Sequence, residues 1–492
     1  MKRSLVFIGV IVFCLGLCVV GVNVSSSVEI KDVAFLFQRE SALRSQPISE
    51  ATAITGGVVI DGTGRPPIED AVILIEQGKI IALGQKEQIS VPRQAKKINA
   101  AGKYIIPGLL DGNVHLTFGT SIEYLARYEG RFEELAEEAA QVALKSGVTT
   151  VFDTWGPLQP LLNVRDRVNR GEVVGSRIFC AGNIIGFSGP LGRDFNPDSS
   201  ASKMFKKRIN ALWEENVGPN LGFMTPDEVA AEIAKYTSRG PDFLKYGSSG
   251  HSDDSILLFS EEAQKAIIRE GHKANLTVQC HTTNVESLRM AVEAGIDLIT
   301  HCDITENEPI PDSTIKELKE KQIPCGVLPG TKRRFEANLK RYSGNSVALR
   351  SLESRTLNLT HLIRAGVPLV LTTDAGIWSP EIVAEMTPEN KIDRLDTLGE
   401  GHFLWCQAMA EKGMSLMDII LCATRNVAAA YHKLDLLGTL EKGKIADLVI
   451  LDANPLEDVN SLRKIFMVIK DGRTVERERL PLKAVIEVPT LE

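Results

Sequence analysis

Short apolar runs punctuated by glycine set the texture of this chain, and the texture changes twice along its length. From Ala53 to about Ile106 every run has strand character. Gly56-Gly57-Val58-Val59-Ile60 meets the turn Asp61-Gly62-Thr63-Gly64, and Ala71-Val72-Ile73-Leu74-Ile75 turns through Glu76-Gln77-Gly78-Lys79 into Ile80-Ile81-Ala82-Leu83-Gly84. Short β-rich runs broken by Gly-bearing turns predict hairpins of a small sheet. Past Pro107-Gly108, strand-like runs alternate with amphipathic helical stretches, as βα units require. Phe132 to Lys145 carries Ala and Glu at helical spacing, and Ser287 to Ala294 repeats the pattern. Each is followed by Gly and a β-branched run, a helix end feeding a strand. Strands are predicted to end near His115, Phe152, Ala181, Lys245, His281, His301, Val327 and Thr373.

Those units predict an α/β fold, a (β/α)8 TIM barrel spanning residues 108–436. Beyond Leu436 the texture returns to strand. Gly438 to Lys444 leads into Ala446-Asp447-Leu448-Val449-Ile450-Leu451, and later comes Met467-Val468-Ile469-Lys470-Asp471-Gly472. Separate strands at the two ends would leave open edges. Residues 50–107 and 437–480 are therefore expected to pair into one composite β-sandwich beside the barrel.

Length and charge narrow the picture. A chain of 492 residues exceeds one core of average size, which suits a barrel with a companion domain. A net charge of −7 argues against nucleic acid as a partner, because phosphate binding needs a concentrated basic surface. Lys206-Lys207-Arg208 reads as a solvated face. Lys332-Arg333-Arg334 follows a predicted strand end at Leu328-Pro329-Gly330, where it would meet an anionic substrate. At the start, Lys2 and Arg3 precede an apolar run from Leu5 to Val22 and then Ser25 to Ser27, the plan of an export signal. The run is also about long enough to cross a bilayer, which takes roughly 20 residues. Residues 1–27 are expected to be a signal peptide or an uncleaved anchor. The body then lies outside the cytoplasm, periplasmic or secreted, or held facing outward by this segment, its one expected membrane contact. A homo-oligomer is left open.

Two of the eight cysteines, Cys14 and Cys18, fall in that leader. The others, Cys180, Cys280, Cys302, Cys325, Cys406 and Cys422, show no CxxC spacing and read as small buried thiols. Cys280 and Cys302 flank candidate histidines, but side chains alternate along a strand, so both should turn away from a site there.

The candidate chemistry sits at the strand ends: Asp111-Gly112-Asn113-Val114-His115, Lys245, His281, His301 and Thr372-Thr373-Asp374. The ends of parallel barrel strands converge on one face, so these residues should become neighbours and form a divalent-metal site. His251 follows Gly247-Ser248-Ser249-Gly250 in the loop after the fourth strand, placed either to touch substrate or in a plain solvent loop. His272, His361, His402 and His432 read as structural.

Together with Asp61-Gly62-Thr63-Gly64, Pro107-Gly108-Leu109-Leu110-Asp111 and Gly443-Lys444-Ile445-Ala446-Asp447-Leu448-Val449, these words resemble the amidohydrolase superfamily, particularly its imidazolonepropionase-like and dipeptidase-like branch. The resemblance implies two metals. His115 and Asp374 would hold the first, His281 and His301 the second, with a carboxylated Lys245 bridging them. One position departs: Asn113 stands where the pattern has a histidine. An amide oxygen is a weaker ligand for Zn2+ than imidazole. A weakened metal pair and a single metal on the His281 and His301 side therefore rank ahead of a retired, inactive barrel. The implied reaction is hydrolysis of a C–N bond, an amide of dipeptides or N-acyl amino acids, by a metal-bound hydroxide. Asp374 would take its proton and return it to the leaving amine. Lys332, Arg333 or Arg334 would pair with a substrate carboxylate. A cyclic amide is the next substrate class. A mononuclear deaminase is a further alternative, against which Lys245 argues, and a non-catalytic ligand-binding barrel of the envelope is the alternative of another class.

Overall fold

The computed structural model describes residues 51–251, 253 and 255–486. The expected leader, 1–27, lies outside the described residues. Five strands come first: β1 (Thr52–Val59), β2 (Ile68–Glu76), β3 (Lys79–Gln85), β4 (Lys96–Asn99) and β5 (Tyr104–Pro107). The eight barrel strands follow: β6 (Leu109–Val114), β7 (Val148–Asp153), β8 (Arg177–Cys180), β9 (Leu244–Gly247), β10 (Val278–His281), β11 (Leu298–Thr300), β12 (Cys325–Val327) and β13 (Leu369–Leu371). The last three are β14 (Leu448–Leu451), β15 (Ile465–Lys470) and β16 (Arg473–Thr474).

Strands from both ends of the described chain form one sheet in the order β16-β15-β14-β5-β1-β2-β3, with β4 branching from β1. β1 serves two parallel neighbours along its length. Thr52 to Thr55 pair with β4, and Val58 and Val59 pair with β5. β14 then covers the other edge of β5 antiparallel, Val449 opposite Ile106. Period-2 alternation buries Ile54, Ile73, Ile105, Leu448, Ile450 and Ile469 in one cluster.

β6 to β13 make the barrel, all its ladders parallel. Parallel strands covered on both faces read as continuous apolar runs, and every residue of β7 and of β10 is buried. The ladders run unbroken through β6–β8 and through β9–β13. Single parallel bridges close the two seams, Ile185 with Tyr246 and Val114 with Ala375. At the first seam Asp242 substitutes for ladder bonds. Its amide donates to the Cys180 carbonyl at 2.9 Å, and its carboxylate accepts from the Cys180 amide at 3.0 Å while pairing with Arg165 at 3.1 Å.

The predicted helices appear as Phe132–Lys145 and Val285–Ala294, the second ended by Gly295 in the left-handed region at φ 85°. After β16 the chain crosses back over the first of these helices. Leu482 donates its amide to Gln141 at 2.7 Å, and Val485 and Ile486 donate theirs to the buried Glu138 carboxylate at 2.8 and 3.0 Å. Among the described residues, no helix is long and apolar enough to cross a membrane.

Candidate active site

Asp111 and Asn113 lie in β6, where its register against β7 is broken between Asp111 and Val114, and His115 follows one residue past the strand end. Asp111 ties β6 to the end of β13. Its carboxylate accepts from the amides of Asn113 and Thr373, each at 3.2 Å, and from the Thr373 hydroxyl. The chain leaving β13 is clipped to β6 by two further bonds, Asp374 amide to Asn113 carbonyl at 2.9 Å and His115 amide to Ala375 carbonyl at 2.8 Å. To follow that path Asp374 takes φ 58°, and His301, just past β11, takes φ 61°. Left-handed backbone costs a non-glycine residue roughly 1–3 kcal/mol, and such strain clusters at functional sites. Here it swings two candidate ligands inward.

All six strand-end candidates meet. The Oδ1 of Asp374 accepts from the Asn113 amide nitrogen at 2.9 Å and lies 2.9 Å from His115 Nε2 and 4.0 Å from His301 Nε2. The rings of His281 and His301 are 5.0 Å apart at their centres. Lys245, 1% exposed, donates from Nζ to the Thr154 hydroxyl at 3.1 Å, and Thr154 donates in turn to the amide oxygen of Asn113. Asp374 alone keeps substantial side-chain exposure, 34%, so the cluster opens to solvent through its carboxylate.

Burial sets the charge states. It pushes the Lys245 ammonium down to about 8 against the pull of Asp374 and Asp153. It brings His301 down to about 4, and His281 well below the usual imidazole range with help from His301. Low-dielectric surroundings favour the acid form of Asp374, but His301 and His115 outweigh them and hold its carboxyl well below the ordinary value. At neutral pH the cluster therefore holds neutral imidazoles at His281 and His301, an ionised Asp374 and a lysine that is still mostly ammonium, with roughly a tenth as free amine. Two buried acids stand behind it, Asp111 raised to about 7 and Asp153 to about 8, each by burial.

That donor set fits a divalent metal in chemistry. Zinc-type sites take neutral imidazole and carboxylate, and among the described residues His281 Nε2, His301 Nδ1 and His115 Nδ1 are buried with no hydrogen-bond partner. No three His, Cys, Asp or Glu side chains among the described residues already form a ligand group. The fit is therefore one of donor type and placement, without a preformed coordination shell.

An aromatic arc walls the cluster. Trp155 stands edge-on to His115 at 6.0 Å and stacks on Phe195 at 4.0 Å; Phe195 meets Phe187 at 5.8 Å, and Phe187 meets His281 at 5.3 Å. On the other flank Phe118 lies 6.0 Å from His115 and 4.7 Å from Trp378. Gly247, two residues after Lys245 and on its side of β9, admits this wall. A Cβ there would sit 2.2 Å from Phe187.

His251 is exposed on the rim, its Nδ1 3.0 Å from the Asp194 carbonyl and its ring 5.6 Å from that of His281. Lys332, Arg333 and Arg334 open the helix Lys332–Arg341. Arg333 is 71% exposed and pairs with Asp393 at 3.5 Å. Arg334 donates to the carbonyls of Glu389, Asn390 and Ile392 at 3.1–3.2 Å, closing the end of the short helix Pro388–Lys391. Its guanidinium is a structural cap, which corrects the expectation that it waits for a substrate carboxylate. Cys280 and Cys302 are buried, and their side-chain neighbours are Tyr246 and Cys325. Residue patterning missed Thr154, Asp153 and Trp155, although a polar pair just past the predicted strand end at Phe152 was a usable signal. Phe187 and Phe195 sit in a long connection whose spacing carries none.

A barrel of parallel strands with metal-type ligands at their C-terminal ends and a sheet built from both chain ends defines a member of the amidohydrolase family, and the chain belongs to it: the Amidohydrolase family pattern matches residues 104–475. It is a hydrolase acting on carbon–nitrogen bonds, in a family that generally uses divalent metals. Among solved structures the chain is similar to a molinate hydrolase (39% identity, TM-score 0.84, covering 89% of this chain and 97% of that one). It is also similar to phenylurea hydrolase B (36%, TM-score 0.84, 89% and 99%). It is 25% identical to the ochratoxinase of Aspergillus niger over 449 residues, 86% of each chain. To the imidazolonepropionase of Alkaliphilus metalliredigens (strain QYMF) it is 23% identical, over 83% of this chain and 90% of the other.

Proposed function

We propose that the protein hydrolyses the C–N bond of a neutral amide or urea bearing an aromatic or similarly apolar group. The observation that carries this is the Trp155–Phe195–Phe187 arc spanning the cluster from His115 to His281. Aromatic walls favour flat apolar groups by burial and edge or stacking contacts. Of the three cations expected to hold a substrate carboxylate, Arg334 is committed to backbone carbonyls and Arg333 pairs with Asp393. The similarity to a hydrolase named for phenylureas, at 36% identity, supports an aryl-bearing substrate over dipeptides or N-acyl amino acids.

A divalent metal such as Zn2+, when bound, supplies a Lewis acid that lowers the pKa of water. His281, His301, His115 and Asp374 would hold it. The free amine of Lys245 would add CO2, forming an N–C bond and releasing a proton, to give a carbamate with oxygen donors. Asp374 accepts a proton from the attacking water and passes it to the leaving nitrogen. His115 and Asn113 both address Oδ1, so Oδ2 remains for that transfer. Trp155, Phe195 and Phe187 orient the apolar group and keep bulk water off the scissile bond. We also propose that residues 1–27 direct export of the chain; an N-terminus at Met1 on protein recovered only from the cytoplasm would refute this.

The test is a substrate panel of phenylureas, N-aryl amides and N-acyl amino acids, run before and after chelation and after Zn2+ return. The expected result is at least tenfold higher kcat/KM on the neutral aryl members, lost on chelation and regained with metal, with the fold retained throughout. The reverse ranking overturns the substrate class. No turnover of any member with metal present would overturn the aryl amide and urea substrate class altogether.

A further inference from the structure

We infer that Asn113 works as a hydrogen-bond donor that positions Asp374 rather than as a metal ligand, and that the Thr154 hydroxyl enforces this by locking the Asn113 amide and the Lys245 nitrogen into one chain. The inference deepens the hydrolase reading and depends on it for its kinetic readout alone.

The orientation of the Asn113 amide follows from its neighbours. An ionised carboxylate can only accept, so the group facing Asp374 Oδ1 at 2.9 Å must be the amide NH2. The amide oxygen then points the other way, to Thr154. Thr154 has one proton to give. Lys245 Nζ approaches its Oγ at 3.1 Å as a donor, which leaves the hydroxyl proton for Asn113 Oδ1. The bonds of the series Lys245–Thr154–Asn113–Asp374 thus all run in one direction, each group donating to the next. Turning the amide around would set two oxygens against each other at Asp374 and leave the Thr154 hydroxyl proton without its acceptor.

An amide oxygen already held by a hydroxyl at 0% exposure is a poor candidate for a metal. The backbone of Thr154 is itself pinned, its own amide donating to the Val114 carbonyl at 3.0 Å, which fixes where the hydroxyl starts from at the β6–β7 junction. On the far side of Oδ1, His115 Nε2 completes a second contact at 2.9 Å. Asp374 is held from two directions by neighbours on the end of β6, one of them the residue that departs from the His-x-His pattern. The histidine that the pattern expects would bring a ring where this chain uses a planar amide able to bridge a hydroxyl and a carboxylate. Thr154 and Asn113 are therefore positioning residues for Asp374 and Lys245.

Asn113→Ala, Thr154→Val and Thr154→Ser separate the two roles. Metal content and affinity are read by elemental analysis and chelator competition, and kcat and KM on a neutral aryl substrate. A positioning role predicts metal content unchanged and affinity within about threefold for Asn113→Ala, with kcat down about 10- to 100-fold and KM little moved. Thr154→Val should show the same split, and Thr154→Ser, which restores the hydroxyl, should recover most of kcat. A loss of bound metal, or a tenfold weaker affinity, in Asn113→Ala overturns the inference and makes Asn113 a ligand. So does a Thr154→Val enzyme with normal kcat. If Thr154→Val fails to fold, Asn113→Ala and Thr154→Ser still decide. If the wild-type protein turns over no aryl substrate, the hydrolase substrate reading fails while the metal measurements on Asn113→Ala still settle the role of the amide.

Discussion

A carboxylate that must take a proton and give it back needs one free oxygen and a fixed plane. Asp374 has both, its Oδ1 engaged by Asn113 and His115 and about a third of its side chain open to solvent. Asp374→Asn keeps the shape and removes the base. It should lower kcat by about 10²–10⁴-fold, the usual worth of a positioned general acid–base group, with little change in melting temperature. A variant with near-wild-type kcat in steady-state assays would remove Asp374 from that role. The strand-end residues themselves were legible in the chain because each stands alone after an apolar run. Thr154 was not, since a threonine past a strand is ordinary until Lys245, ninety-one positions further on, is seen to reach it. Arg334 was misleading for the same reason. Sequence shows a cation near a strand end, and only folding shows three carbonyls already waiting for it.

Among elements, the helices hold the strands in register, and one contact between them is acid-sensitive. The helix Gly401–Glu411 carries His402, 2% exposed, whose Nε2 lies 3.1 Å from the Ser146 carbonyl at the end of Phe132–Lys145. Burial drives this imidazole down to about 3, so it is neutral in the folded protein. Above an unfolded-state pKa near 6.5 neither state binds the proton and the contact's stability is fully present. As the pH falls from 6.5 toward 3, the unfolded chain takes a proton the folded one refuses, and stability is lost. His402→Gln can still donate to Ser146 but does not titrate. Urea unfolding at pH 7 and pH 5 should show the wild type losing about 2 kcal/mol more than the variant; parallel losses would discard the assignment. The histidine's place in a helix was readable from sequence, but its depth was not, because depth depends on which helix packs across it.

For the whole molecule, the chain beyond the matched family region reaches back to the site's own wall. Val485 and Ile486 are buried in one cluster with Tyr128, Phe132, Trp155, Trp213 and Phe187. Tyr128 also donates to the Val485 carbonyl at 3.4 Å, and Phe132 packs on Trp213, which lies 5.9 Å from Trp155. Cutting the chain before Leu480 removes three buried aliphatic side chains, Leu480, Val485 and Ile486, each worth about 1.5–3 kcal/mol, and strips Glu138 of its amide donors. Calorimetry should show a clearly lower melting temperature, and KM for aryl substrates should rise as Trp155 loosens. An unchanged melting temperature would mean the tail only rests on the surface.

By itself the sequence determined the eight βα units, the pairing of both chain ends in one sheet and the order of the metal-type residues. All three are written in local periodicity and in the position of a polar residue at the end of an apolar run. Tertiary structure alone decided which neighbours those residues acquired. It made Asn113 a donor to Asp374, enclosed Lys245 until its ammonium became costly, built an aromatic wall from an unpatterned connection and drew Arg334 away to a helix end. Hydrogen-bond direction, desolvation and ring packing belong to pairs of groups distant along the chain, and those pairs exist only once the barrel has closed.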